Sequence, residues 1–212
     1  MRSIISLVGK SSSGKTTLME KLIVELKLRG LKVAIVKHSH HADDLDTAKK
    51  DTWRFTQAGA ALSAINSLDH LAIFRKMDHF FDPEEISSFV LWDYDIILTE
   101  GFKGSPYPKI EVHRAEQGKD LVSEKELLLA VVTDELLDVS VPQYAHDDIK
   151  GIADLIESRV KAVQKNSVDV VVNGARLAVS PALEDLLTRT LTAMVPSGDG
   201  IKSMHVSLRR KA

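Results

Sequence analysis

The chain opens on an apolar run, Ile4-Ile5-Ser6-Leu7-Val8. After a glycine-rich break comes a helical stripe of Leu18, Leu22 and Leu26, with Met19 and Ile23 beside it. Spacing of three to four residues predicts an amphipathic helix. Gly30 closes that helix as a C′ residue. Residues 32–37, Lys-Val-Ala-Ile-Val-Lys, read as a short buried strand. Strand, helix, strand is a βαβ unit, and it predicts a parallel sheet with a right-handed crossover.

Further along, residues 51–58 predict a short helix ended by Gly59, and 61–65 and 71–74 predict two strands. Asp82-Pro83-Glu84-Glu85 is a helix start, with Asp82 as N-cap, Pro83 at the first helical position and Glu85 completing a capping box. Ile86, Phe89 and Val90 give that helix an apolar face. Residues 95–99 predict a strand running into Glu100-Gly101-Phe102-Lys103; residues 109–113 and 127–133 predict two more. Asp147 or Asp148 caps a helix reaching about Gln164, with Ile149, Ile152, Ala153, Ile156 and Val160 inward. The composition breaks at 165–167, which divides the chain into 1–165 and 166–212. Beyond it, 168–172 and 175–179 flank Asn173-Gly174, the preferred two-residue hairpin turn. Pro181 opens a helix through Met194, and 203–208 alternates as a last strand. The expected fold is α/β: a mostly parallel twisted sheet flanked by helices, with a small C-terminal β-β-α-β appendage.

Composition narrows the function classes. The chain has 212 residues, a formal net charge of −2 and no cysteine. A near-neutral chain has no global field to attract nucleic acid or anionic lipid. Without thiols there are no disulfides, iron–sulfur clusters or thiolate metal sites. No apolar stretch approaches a membrane span, and the first strand leaves no room for a signal peptide. The expected compartment is the cytoplasm.

The break after the first strand carries the chemistry. Residues 9–16 read Gly-Lys-Ser-Ser-Ser-Gly-Lys-Thr, a complete Gly-x-x-x-x-Gly-Lys-Thr phosphate loop between strand and helix. Successive backbone amides, with Ser12 and Ser13 among them, form an anion nest at a helix N-terminus. Gly9 and Gly14 supply turns that a Cβ obstructs. Lys15 is expected to reach the β- and γ-phosphates, and the Thr16 hydroxyl to ligate Mg²⁺.

Three other segments end predicted strands, the edge where open α/β sheets bind ligands. Glu100 closes an apolar strand and is the expected acid for the hydration shell of Mg²⁺; Asp95, at the strand's start, reads as a turn or cap residue. Lys37-His38-Ser39-His40-His41 follows the second strand. Lys37 offers a phosphate contact. His38, His40 and His41 either bind a divalent metal, in a spacing that fits no standard zinc pattern, or form a polar loop over the ligand. Asp43, Asp46 and Asp51 each offer a second carboxylate to the Mg²⁺ site, and Asp51 is assigned to it. Asp134, ending Val131-Val132-Thr133-Asp134, is either a reader of the guanine N1–H and N2–H₂ donors or a turn acid. The Asn-Lys-x-Asp pattern is absent.

Together, GKSSSGKTT, KHSHH, KDTWRFTQAGA, TEGFK, the PKI at 108–110 and VVTD resemble the molybdopterin-guanine dinucleotide biosynthesis adapter proteins, the MobB family, over about residues 1–165. The resemblance implies a P-loop protein that binds GTP, hydrolyses it slowly and assists the guanylyltransferase joining GMP to molybdopterin. It implies a homodimer with a mixed sheet. By position, Gly14, Lys15, Thr16 and Thr17 would hold phosphates, Glu100 would serve Mg²⁺, Asp134 would recognise guanine, and Lys37, His38, His40 and His41 would face the γ-phosphate or a partner's substrate. The appendage departs from shorter members and carries no catalytic constellation.

Slow hydrolysis also follows from the residues. An arginine finger adds about 10³–10⁵ in rate. No arginine sits next to a nucleotide motif, Arg54 in the short helix being the nearest candidate, and no glutamine follows Glu100-Gly101. The competing readings are a small-molecule kinase using the same loop and a metal-delivery NTPase using His38, His40 and His41.

Overall fold

The structure is a computed structural model. It describes residues 3–38, 46, 50–77, 80–83, 85–86, 94–163, 170–172, 175–177 and 179–194. Strand β1 (Ser3–Val8) leads into helix α1 (Lys15–Leu28), and β2 (Val33–Lys37) completes the βαβ unit. Then follow α2 (Asp51–Gln57), β3 (Leu62–Asn66), β4 (Leu71–Arg75), β5 (Ile96–Glu100), β6 (Lys109–Val112), β7 (Leu128–Val132), β8 (Gln143–Tyr144), α3 (Ile149–Val163), β9 (Val170–Val172), β10 (Ala175–Leu177) and α4 (Pro181–Ala193). One six-stranded sheet runs β2-β5-β1-β6-β7-β8, every described pairing in it parallel. The crossover from β1 to β2 therefore skips a place, which β5 fills. Strands β3 and β4 form a separate antiparallel hairpin, and β9 with β10 another. The antiparallel pairing of the expected mixed sheet thus lies outside the main sheet. Strand β8 was not foreseen; two residues are too few to carry a pattern.

Local signals explain the helices. The α1 stripe of Leu18, Met19, Leu22 and Leu26 is buried, and the helix ends in a Schellman pair, Gly30 N–H donating to Lys27 O and Leu31 N–H to Leu26 O. Asp148 caps α3 by accepting from the Gly151 amide at 3.0 Å. Its Ile152, Ala153, Ile156 and Val160 are buried. Ser180 caps α4, with Pro181 following. The capping box at 82–85 forms reciprocally: Glu85 N–H donates to Asp82 Oδ1 and Asp82 N–H to Glu85 Oε2. The Asn173-Gly174 turn, Phe89, Val90 and residues 203–208 lie outside the described residues; β9 and β10 pair in the expected register, Val172 opposite Ala175.

One sheet face carries the main apolar core. Ile5 and Leu7 of β1, Leu98 of β5, Ile110 and Val112 of β6, and Ala130 and Val132 of β7 pack against α1 and α3. Arg29 ties those two helices together, bridging Glu25 to Asp154 and Glu157; these acids raise its pKa above the ordinary arginine range. Across the opposite face runs a polar row. Ser6, Thr99, Lys109, Glu111 and His113 are each at most 3% exposed. Buried polar groups are tolerated only with partners, and these have them. Thr99 Oγ1 donates to Ser6 Oγ, Lys109 Nζ donates to the Ser105 and Tyr107 carbonyls, and Glu111 accepts from the Val122 and Ser123 amides at 2.7 and 2.9 Å. His113 Nε2 meets Glu135 Oε1 at 2.9 Å. Burial holds the Lys109 ammonium below the ordinary lysine range, Glu124 opposing.

The alternation of residues 109–113 therefore does not mark a face in water. Its polar members are pegs that hold the segments covering the sheet. Replacing Glu111 by Ala leaves two amides unpaired, and a hydrogen bond to a charged group is worth about 1.5–3 kcal/mol. The expected outcome for Glu111→Ala is a loss of about 2–4 kcal/mol in unfolding free energy, read from the urea midpoint at unchanged slope.

Candidate functional site

The carboxyl ends of β1, β2, β5, β6 and β7 converge because their strands are parallel. At the end of β1 the chain turns so tightly that a Cβ on Gly9 would lie 2.3 Å from Val112 O and 2.9 Å from Ser13 Oγ. Gly9 also holds φ +147°. No other residue type fits. Ser12 has φ 61°, and Gly14 caps α1 at φ 96°. Ser13 is fully buried, so it serves the loop through its backbone.

A cavity of about 320 Å³ opens over this loop, lined by Ser11, Ser12, Gly14, Lys15, Thr16, Thr17 and Glu100. Lys15 Nζ donates to Lys10 O at 2.7 Å and Gly9 O at 3.4 Å. Burial lowers its pKa from the ordinary lysine value; Glu100 opposes the shift and Lys103 adds to it. Thr16 Oγ1 donates to both Glu100 oxygens, at 3.2 and 3.3 Å. Lys37 Nζ stands 3.9 Å from Glu100 Oε1. A hydroxyl and a carboxylate facing each other at the floor of an anion nest are the hard oxygen donors that suit a hydrated Mg²⁺. The donor set fits the ion.

Past Glu100 the backbone turns left-handed twice, at Gly101 (φ 94°) and Phe102 (φ 55°). For a bulky L-residue that conformation costs about 1–2 kcal/mol. Burial of the Phe102 ring offsets it. The ring packs 5.2 Å from His38 and 5.6 Å from Phe80, and His38 meets Phe80 edge-on at 4.8 Å. His38 is thus an aromatic packing residue, and it does not line the larger cavity. His40 and His41 lie outside the described residues, as does Asp43. Asp51 is exposed at the start of α2, 3.6 Å from Arg54, and does not line the cavity either. Asp46 accepts from Thr52 Oγ1. Among the described residues, no group of three His, Cys, Asp or Glu side chains could hold a metal. Asp95 accepts from the Lys32 amide at 2.7 Å, a long-range bond between the starts of β2 and β5 in place of the local turn or cap role expected of it.

Asp134 is already engaged. Its Oδ1 accepts from the Ala115 amide at 2.9 Å and its Oδ2 from Arg114 Nη1 at 3.1 Å; these bonds, the amide first, lower its pKa. Arg114 corrects the expectation that no arginine adjoins a nucleotide motif: its Nη2 lies 3.7 Å from where a Gly14 Cβ would stand. Sequence distance hid it, although it follows a predicted strand at the same sheet edge as Glu100. Lys10 and Gln117 were also missed. Lys10 Nζ donates to Gln117 O, and Gln117 Nε2 to Ser11 O, which ties the loop to the 3-10 turn at Ala115–Gln117.

A parallel sheet whose first strand ends in an anion nest, with a strand-end acid facing the loop threonine, defines a P-loop protein. Residues 4–134 match the family described as Molybdopterin guanine dinucleotide synthesis protein B, MobB, and the chain belongs to that family. A relative from Haemophilus influenzae, named molybdopterin-guanine dinucleotide biosynthesis adapter protein, is 37% identical across 73% of this chain and 88% of its own length. The Escherichia coli protein of the same name is 33% identical across 74% and 92%. Among solved structures, a molybdopterin-guanine biosynthesis protein B is 32% identical with a TM-score of 0.55, covering 74% of this chain and 99% of its own. Bacillus subtilis MobB is 25% identical with a TM-score of 0.60, covering 74% and 97%.

The geometry yields two outcomes. Gly9→Ala forces β1 and β6 apart and should abolish binding of inorganic tripolyphosphate, with an unfolding loss above about 2 kcal/mol; calorimetry and thermal melts measure both. A lowered Lys15 pKa means that the empty loop loses its ammonium at a lower pH than an exposed lysine. Tripolyphosphate affinity should therefore decline on raising the pH, starting below the usual lysine value of about 10.4. Glu100→Gln removes the opposing influence and should move the decline to lower pH.

Proposed function

We propose that this chain is a GTP-binding adapter of molybdopterin-guanine dinucleotide synthesis, assisting the guanylyltransferase that joins GMP to molybdopterin. The alignment of Lys15, Thr16 and Glu100 over one anion nest carries the reading. In it, the loop amides and Lys15 hold the phosphate chain, and Thr16 and Glu100 hold Mg²⁺. A bound Mg²⁺ would neutralise charge on the β- and γ-phosphate oxygens. Asp134 reads guanine through the acceptor positions its present bonds leave, since a carboxylate has about four. Family membership and the relatives' names support the pathway. A cytoplasmic setting belongs to the same proposal, and among the described residues no helix is long and apolar enough to cross a membrane.

Hydrolysis is slow in this reading. Arg114 adjoins the loop but lines a second, smaller cavity, while Lys15 and Glu100 line the larger one. It supplies no charge where the terminal phosphate would sit. Homodimerisation is part of the proposal too. The β3–β4 hairpin stands apart from the main sheet, and Leu62, Ile65, Leu71 and Ile73 on it are each at least 44% exposed. A two-stranded hairpin alone is marginal in water, so a second copy that covers it would supply the missing contacts.

Titration with GTP and with ATP, each with Mg²⁺, tests the reading. GTP should bind more tightly. Lys15→Ala should abolish binding of both while the melting transition persists. Asp134→Asn should erode the preference for GTP, and turnover by the isolated protein should stay below about 1 s⁻¹. Equal affinity for the two nucleotides in the unaltered protein would sink the guanine-specific reading. Sedimentation provides a separate check: Leu71→Glu with Ile73→Glu should convert dimer to monomer and leave nucleotide affinity alone.

A further inference from the structure

The smaller cavity, about 130 Å³, is lined by Gly14, Thr17, Leu18, Lys21, Arg114 and His146. It shares Gly14 and Thr17 with the larger one. A phosphate chain lying in the loop therefore leads past Thr17 into this second space. Resting on the nucleotide reading above, we infer that Arg114 is the stacking platform for the nucleotide's base, and that its guanidinium face forms a wall of the base pocket.

The Arg114 guanidinium is held by its edge. Nη1 donates to Asp134 Oδ2, the same carboxylate accepts the Ala115 amide, and Nη2 lies against Gly14. Its side chain is nevertheless 35% exposed. One donor is thus directed in the guanidinium plane while about a third of the side chain stays open to a ligand, a setting in which arginine can stack on an aromatic ring. Lys21 brings a second cation to the lining, so the choice between a phosphate and a base at Arg114 turns on what holds Arg114 itself. The guanidinium is paired with Asp134, whose carboxylate would repel a further anion and attract N–H donors on a base. His146 adds a second planar group. Its Nε2–H donates to His113 O at 3.0 Å, leaving Nδ1 to accept. Burial, then the Arg114 cation, lower its pKa below the ordinary histidine value, so the ring is neutral at pH 7. Sheet order supplies the base edge beside this wall, because Asp134 lies just past β7 and Arg114 just past its neighbour β6.

Stacking on a cation is tolerant of base identity, and this separates it from other roles. Calorimetry should compare GTP, ATP and inorganic tripolyphosphate, each with Mg²⁺, on the unaltered chain, Arg114→Ala and Arg114→Lys. Arg114→Ala should weaken ATP by about 3- to 30-fold and GTP by at least as much, because it also frees Asp134, and leave tripolyphosphate unchanged. Arg114→Lys, which keeps the charge without the plane, should not restore binding. Tripolyphosphate affinity also reports that each variant keeps its loop folded. An equal loss for all three ligands would make Arg114 a phosphate contact. A loss confined to GTP would make it a support for Asp134, and no loss would give it no role; each result overturns the platform. If the unaltered chain binds tripolyphosphate but no nucleotide, or binds none of the three, the nucleotide reading itself falls and the platform with it.

Discussion

Everything at the carboxyl edge depends on how closely β1 passes β6. The Val112 carbonyl occupies the space where any side chain at residue 9 would lie, so the turn out of β1 begins at a glycine and stays within van der Waals reach of the neighbouring strand. That contact sets the height of the loop above the sheet. Because β5 flanks β1 on its other side in register, with Leu7 opposite Glu100, the same height puts the Glu100 carboxylate within hydrogen-bonding reach of Thr16. One steric constraint thus sets both the cradle and the acid that faces it.

The polar row on β6 does the corresponding work underneath. Lys109 holds the turn after Glu100 by its carbonyls, and Glu111 holds the segment after Arg114 by its amides. Asp134 fastens the start of that segment, and Gln117 joins it to Ser11 of the loop. The loop over the ligand edge is therefore clamped from the sheet interior. This is why charged residues stand in a core position where an apolar residue would pack but would leave the backbone amides unpaired.

How much of this was legible depended on the range of each interaction. The turn at residues 9–16 was readable as a strand-to-helix loop, because its glycines stand at fixed spacing. The cap at Asp82, and one at Asp147 or Asp148, were readable because donor and acceptor lie within four residues. The partnership of Arg114 with Gly14 and Asp134 was not, since parallel topology brings together residues that nothing in the chain order marks as neighbours. The row at 109–113 was read as a strand, but its alternation cannot say whether the polar side meets water or buried carbonyls. His38 shows the same limit. Its position among histidines suggested a metal or phosphate ligand, whereas the structure packs it against Phe102, and Phe102 holds a backbone conformation that no sequence pattern announces.

The bonds that Lys15 makes within its own loop have one further consequence. Its ammonium is already coordinated by the Lys10 and Gly9 carbonyls, so the cradle solvates its own cation. An anion held in the loop would therefore meet an ammonium already oriented by the backbone, with less rearrangement left to make.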